Sequence, residues 1–101
     1  MKLGGLERLA QALGFIRERG MEPVLGNGVA GEVGCWMEAC VARNLISNAG
    51  EMNGFLKPVQ PLLVNPLRFD NGAIVLDPGY APALDRTAVA RFEQARQTVA
   101  A

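Results

Sequence analysis

The chain has 101 residues, half of them apolar and one fifth charged, which is typical of a folded globular domain and unlike a disordered segment. Ten Lys and Arg residues balance ten Asp and Glu residues, so the net charge provides no general attraction to nucleic acid or to an anionic membrane. The sequence has no apolar run of the ~18 residues that a membrane span needs and no signal-peptide pattern. We therefore expect a cytoplasmic protein without nucleic-acid or membrane partners.

The predicted elements begin with an amphipathic helix from Leu6 to Arg19. Its apolar side chains recur at helical spacing, at Leu6, Leu9, Leu13 and Ile16. Gly20 is expected to end the helix, since glycine is the usual residue at that C-terminal position. The helix needs a sheet or another helix to cover its apolar face.

The segment "MEPVLGN", residues 21–27, predicts a short strand that enters a turn at "GNG". A second helix follows, from Gly31 or Glu32 to Ile46 or Ser47. One of its sides carries Val33, Trp36, Met37, Cys40, Val41 and Leu45, and the other carries Cys35, Ala39, Ala42 and Ile46. A helix with so little polar surface is expected to lie between a sheet and neighbouring helices. The strand–helix order is typical of a parallel α/β sheet.

Cysteine and histidine content limits the chemistry of this chain. Cys35 and Cys40 are five positions apart, so a helix places them on different faces, and we expect two buried free thiols. There is no histidine, which removes a histidine base, a Ser/His or Cys/His pair and the commonest metal ligand from the chain.

The second half of the chain predicts further short elements. Residues 53–64, "NGFLKPVQPLLV", indicate a short strand followed by an irregular proline-containing segment. Asn71-Gly72 between two apolar runs predicts a β-hairpin. The last helix is expected to begin at Asp85 or Thr87, with Ala88, Val89, Phe92 and Val99 as candidates for its inner face.

This layout predicts part of a larger barrel. Two or three parallel strands with helices on one side leave a bare sheet face and two unpaired edges. We expect one partial domain over residues 1–101, with barrel βα units in 1–64 and the hairpin and C-terminal helix in 65–101.

The order of four segments carries a family resemblance: "MKLGGLERLAQALGFIRERGMEPVLGN", a Glu-containing helix, "FLKPVQPLLV" and "FDNGAIVLDPGYAPALDRTAVARF". It resembles the C-terminal third of the enolase superfamily, in the mandelate racemase and muconate lactonising branch. The resemblance implies the C-terminal portion of a (β/α)7β TIM-like barrel, from about the end of strand 6 to strand 8. The hairpin and terminal helix would belong to the capping region.

The resemblance also implies a chemistry. Such enzymes are lyases or isomerases that abstract the proton α to a carboxylate, while Mg²⁺ stabilises the enediolate. Their metal ligands lie on strands 3 to 5 and their base lysines on strand 2 and near the end of strand 6, so this chain alone is expected to bind no metal and to lack the base. Lys2 matches a lysine of the motif that is not the base.

Two positions are implied as substrate-binding. The turn Gly26-Asn27-Gly28 would lie at the end of strand 7, where the racemase branch places its histidine. Lys57 would lie at the end of strand 8, where relatives often place an acidic residue; a lysine there suggests contact with a carboxylate or with a hydroxyl-rich acid. The residues alone leave alternatives open, because "GNG" also fits a simple tight turn and Lys57 also fits a solvated residue. Glu32 is interpreted as a first-turn acid favoured by the helix dipole.

Two functions are therefore expected. In the first, the chain is the C-terminal part of a Mg²⁺-dependent dehydratase, racemase or cycloisomerase of a carboxylic or sugar acid, and is inactive alone. Its partner would be the remainder of the barrel. In the second, it is a free-standing small α/β interaction protein that self-associates through exposed sheet edges.

Overall fold

A computed structural model of the chain describes residues 5–27 and 30–94, and these form three α-helices and two two-stranded sheets. The helices are α1 (Leu6–Glu18), α2 (Glu32–Leu45) and α3 (Arg86–Gln94). The strands are β1 (Gly26–Asn27), β2 (Glu51–Met52), β3 (Arg68–Asp70) and β4 (Ala73–Val75), and a short 3-10 helix spans Gly54–Leu56. The predicted α/β class is confirmed at this level. None of the helices in this part of the chain is long and apolar enough to cross a membrane.

Helix α1 ends as the sequence predicts. Gly20 adopts a positive φ of 70°, and its N–H donates to the Arg17 carbonyl at 3.0 Å. The N–H of Met21 donates to the Ile16 carbonyl at 3.2 Å, which completes a Schellman motif and satisfies carbonyls that a helix end leaves without partners. The apolar face of α1 is covered at Leu13, whereas Leu6 stays 65% exposed.

A parallel βαβ unit joins β1, α2 and β2. Gly26 pairs with Glu51 and Asn27 with Met52. The predicted strand over 21–27 forms only at its last two residues, which corrects the longer prediction. Its earlier part contains Pro23, which has no N–H to donate, and Val24, whose side chain is 64% exposed.

Helix α2 packs through its side of small residues. Cys35 and Ala39 are buried, while Val33 and Met37 on the opposite side are 38% and 58% exposed. In the chain by itself, the described helix is therefore covered on one side only. Cys40 is half-buried, which also corrects the prediction that both thiols are buried.

The hairpin forms as predicted. β3 and β4 are antiparallel, with Arg68 opposite Val75 and Asp70 opposite Ala73. Asn71 and Gly72 both have positive φ, 48° and 77°, as a type I′ turn requires.

Helix α3 is attached through the segment before it. The Asp85 N–H donates to the Leu62 carbonyl at 2.7 Å, and Leu63 and Leu84 form an isolated antiparallel bridge. The Asp85 carboxylate caps the helix by accepting from the N–H groups of Thr87 and Ala88 at 3.0 and 3.2 Å. Of the expected inner face, Ala88 is buried and Val89 half-buried, but Phe92 is 49% exposed; Val99 lies outside the described residues.

The fold is loosely packed. Its radius of gyration is 16.2 Å, against about 13 Å for a compact domain of this length. Within the described ranges the buried apolar side chains are few: Leu13, Cys35, Ala39, Leu63, Leu67 and Ala88. Much apolar surface therefore remains in contact with solvent.

Candidate functional site

Asn27 lies at the carboxyl end of β1, where the sequence predicts a substrate-binding turn. Its side chain is 7% exposed. The side-chain Oδ1 accepts from the Ala30 N–H at 2.8 Å, and Nδ2 donates to the carboxylate of Glu38 on α2. Its main-chain carbonyl accepts from the Asn53 N–H at 3.2 Å. Asn27 therefore connects the end of β1 with Ala30, with the middle of α2 and with the residue after β2. We call the linked pair Asn27 and Ala30 the Asn27 turn.

The 3-10 helix approaches this turn so closely that Gly54 has no room for a side chain. A Cβ built on Gly54 would lie 2.2 Å from the Ala30 carbonyl oxygen and 3.1 Å from Asn27 Oδ1. The carbonyl belongs to main chain that the Asn27 side chain holds in place. Backbone-to-backbone packing thus brings the 3-10 helix against the Asn27 turn.

Cys35 forms the floor of this region. It is fully buried, and its Sγ lies 3.5 Å from the Ala30 carbonyl oxygen, to which the thiol donates. Burial raises the pKa of the Cys35 thiol above its usual 9.0. Backbone hydrogen bonds at Phe55 and Gly54 lower this pKa in part, while the nearby carboxylates of Glu38 and Glu32 raise it. Burial and the raised pKa both disfavour the thiolate, so the Cys35 thiol acts here as a packing group.

Glu32 has a role that the sequence did not indicate. It occupies the first turn of α2 as expected, but its side chain is only 8% exposed and accepts a hydrogen bond from the Leu67 N–H at 3.3 Å. Burial, and then the charge of Glu32, raise the pKa of Tyr80 above its usual 10.0. Tyr80 donates its hydroxyl to the Asn65 carbonyl at 2.7 Å and packs edge-on against Trp36.

The sequence signal for this buried carboxylate was weak. Acids are common in first turns because of the helix dipole, so nothing local distinguished Glu32 from a solvated acid. Its hydrogen-bond donor is 35 positions away in the chain. Such a partner becomes visible only when the segment before β3 is placed against α2.

The other predicted site residues lie as follows. Gly26 is exposed and pairs with Glu51, and Gly28 lies outside the described residues. Lys57 is exposed and ends the 3-10 helix, where its N–H donates to the Gly54 carbonyl at 3.2 Å. It does not end a strand, which corrects that expectation: β2 stops at Met52, and Asn53 has a ψ of 3°, which is not extended backbone.

Among the described residues, the arrangement supplies polar contacts but no metal centre. Within residues 5–27 and 30–94, no group of three or more His, Cys, Asp or Glu side chains is placed to hold a metal ion. The described residues therefore do not fit as a Mg²⁺ site on their own.

Comparison with known proteins found no matching family, curated protein or solved structure.

Proposed function

We propose that this chain is the C-terminal part of an enolase-like barrel, in which it supplies substrate contacts to an enzyme that removes the proton α to a carboxylate. The observation that carries the proposal is the parallel β1-α2-β2 unit, because it is the repeating unit of such a barrel. In parallel α/β folds the functional residues follow the carboxyl ends of the strands, and Asn27 and Asn53 occupy those positions here.

Exposed apolar side chains on α1 and α2 support the proposal that the chain has a partner that covers them. Met37 and Val33 on α2 and Leu6 on α1 are 58%, 38% and 65% exposed. In a barrel each helix packs on the sheet and on both neighbouring helices, which would cover such positions. The remainder of the barrel is therefore the proposed partner.

The proposed division of roles follows from the side chains present. In the proposed enzyme, Gly26, Asn27 and Gly28 would lie at the mouth of the barrel, and Lys57 would contribute an ammonium group that pairs with the substrate carboxylate. In such an enzyme a divalent metal would supply positive charge near the substrate carboxylate. The resemblance implies that the metal ligands and the base would lie in the remainder of the barrel. The proposed compartment is the cytoplasm, in keeping with the free thiols of Cys35 and Cys40.

The test begins with the purified 101-residue chain, studied by size-exclusion chromatography with light scattering and by thermal unfolding. We expect association or a broad, weakly cooperative transition. A cooperative monomer without any partner would overturn the proposal. Met37→Lys should weaken the association, while Gln11→Lys, an exposed polar position on α1, serves as the matched control.

A second test is the DNA upstream of the Met1 codon. The proposal expects an in-frame strand with a lysine shortly before "KLGG", preceded by spaced carboxylates. If that coding sequence is present, the longer protein should exchange the α-proton of a carboxylic acid in D₂O, and Lys57→Gln should raise KM more than it lowers kcat. Stable discrete oligomers of the chain, without such an upstream sequence, would favour the free-standing interaction protein.

A further inference from the structure

A second concave site lies away from the Asn27 turn. A cavity of about 570 Å³ opens between the C-terminal half of α2, the segment before β2 and the hairpin. Its lining is mainly apolar or small, and includes Ala39, Ala42, Ile46, Phe69 and Leu76 together with one charged residue, Arg43. The volume falls within the range of small-molecule sites.

Arg43 is the only ion among the described residues that line this cavity. One of its N–H groups, on Nη1, donates to the Leu76 carbonyl at 3.1 Å. A guanidinium carries five N–H donors, and within the described ranges the other four have no protein acceptor. The Arg43 guanidinium thus lies at the edge of an apolar cavity. It has no carboxylate partner in the described part of the chain.

The position of Arg43 restricts how an anionic ligand can bind in the cavity. Arg43 lies in the last turn of α2, where the helix carbonyls carry partial negative charge. Those carbonyls favour a cation at this end of the helix, and the bond to the Leu76 carbonyl holds the guanidinium at the cavity. An anionic ligand is accommodated only if it pairs directly with the guanidinium, which a carboxylate does with two parallel hydrogen bonds.

We propose that this cavity binds an apolar monocarboxylate, with its hydrocarbon part against Ala39, Ala42, Ile46 and Phe69 and its carboxylate on Arg43. A fatty acid of medium chain length has this chemistry. The apolar lining provides the binding free energy and Arg43 provides the selectivity for the acid over a neutral analogue of the same length. This inference is independent of the proposed enzymatic function, since none of Gly26, Asn27 and Lys57 lines the cavity.

The test uses octanoate, octan-1-ol and acetate as probes of the 101-residue chain, with amide chemical shifts followed by NMR. Octanoate should shift the resonances of Ala39, Ala42 and Phe69 and should bind about fivefold more tightly than octan-1-ol, as a partly exposed ion pair implies. Acetate should cause no saturable shifts, because it lacks the apolar part.

Two variants separate charge from shape. Arg43→Gln should remove the preference for octanoate over octan-1-ol, while Arg91→Gln on α3, which does not line the cavity, should keep it. Ala42→Leu should reduce the affinity for both octanoate and octan-1-ol by filling the cavity. Equal affinity for octanoate and octan-1-ol in the unchanged chain, or shifts confined to residues outside the cavity, would overturn the proposal.

Discussion

The Glu32 carboxylate, in the first turn of α2, accepts a hydrogen bond from the backbone N–H of Leu67 at 3.3 Å. Glu32 and Leu67 are both 8% exposed. The bond joins α2 to the segment that leads into β3, across 35 positions of the chain. A buried N–H needs an acceptor, because water cannot replace one there.

Glu32→Ala should therefore lower the free energy of unfolding by about 1–3 kcal/mol, since it leaves the Leu67 N–H without a partner. Glu32→Gln should lower the free energy of unfolding by less, because its amide oxygen can still accept from the Leu67 N–H. Urea denaturation followed by circular dichroism measures both. Glu7→Ala is the matched control, because Glu7 is an exposed acid in the first turn of α1. Equal losses for Glu32→Ala and Glu7→Ala would show that the contact with Leu67 contributes nothing.

Tyr80 offers a spectroscopic test of the same carboxylate. It is the only tyrosine of the chain, so tyrosinate absorbance reports on it alone. Burial and the charge of Glu32 raise its pKa above 10.0, so Glu32→Gln should lower that pKa toward 10.0. An unchanged Tyr80 pKa in Glu32→Gln would contradict the assignment.

The raised Tyr80 pKa also has a consequence for stability. The folded chain keeps the phenolic proton to higher pH than the unfolded chain, so the unfolded state binds fewer protons just above pH 10.0. The contribution of Tyr80 is thus fully present below pH 10.0 and is lost as the pH rises through the raised value.

Elements governed by neighbouring residues were predictable from the sequence. Gly20 ends α1, Asp85 caps α3 and Asn71-Gly72 makes the hairpin turn, and each of these depends on residues within a few positions. Their conformations follow from positive φ at glycine and asparagine and from a carboxylate close to unpaired N–H groups.

Features that depend on distant residues were not predictable. Helix α2 has apolar residues on two sides, and the periodicity could not tell that Cys35 and Ala39 would be covered while Met37 stays exposed. Strand β1 is short because only Gly26 and Asn27 have partners on β2, which is itself two residues long. At the candidate site, the sequence singled out Asn27 but not its partner Glu38, which lies eleven positions away on α2.

The two thiols should differ in reactivity. Cys35 is fully buried and burial raises its pKa, whereas Cys40 is partly exposed. A thiol reagent at mildly alkaline pH should label Cys40 rapidly. It should label Cys35 only as fast as the chain opens. Cys40→Ser should abolish the fast phase and Cys35→Ser should keep it. Two equally fast phases in the folded chain would contradict the burial of Cys35.

Gly54 and Gly14 should respond in opposite directions to alanine. Gly54→Ala places a Cβ 2.2 Å from the Ala30 carbonyl oxygen, so it should destabilise the chain by about 1–3 kcal/mol. Gly14 lies inside α1, where an added Cβ meets nothing within 4 Å, so Gly14→Ala should stabilise the chain by about 0.5–1 kcal/mol. Thermal unfolding of both variants measures the difference. A neutral Gly54→Ala would mean that the 3-10 helix does not pack on the Asn27 turn as described.

The hydrogen bond between Asn27 and Glu38 can be tested by moving the amide donor from position 27 to position 38. The Ala30 N–H fixes Oδ1 of Asn27, so Nδ2 must face the Glu38 carboxylate. Asn27→Asp removes that donor and places two carboxylates together, which should cost about 1–3 kcal/mol near neutral pH. Acidification should restore part of the loss, because a protonated carboxyl can donate again. The double variant Asn27→Asp with Glu38→Gln returns one amide donor and one carboxylate acceptor to the same place, and the new carboxylate can still accept from the Ala30 N–H.

In this double variant we expect most of the lost stability to return, although Glu38→Gln alone should destabilise by weakening the charge-assisted bond. Urea denaturation of the four chains at neutral and at acidic pH gives the coupling energy between the two positions. If the double variant is no more stable than Asn27→Asp, the two side chains are not partners. The turn would then be held by the bond from Ala30 to Asn27 and by the pairing of β1 with β2.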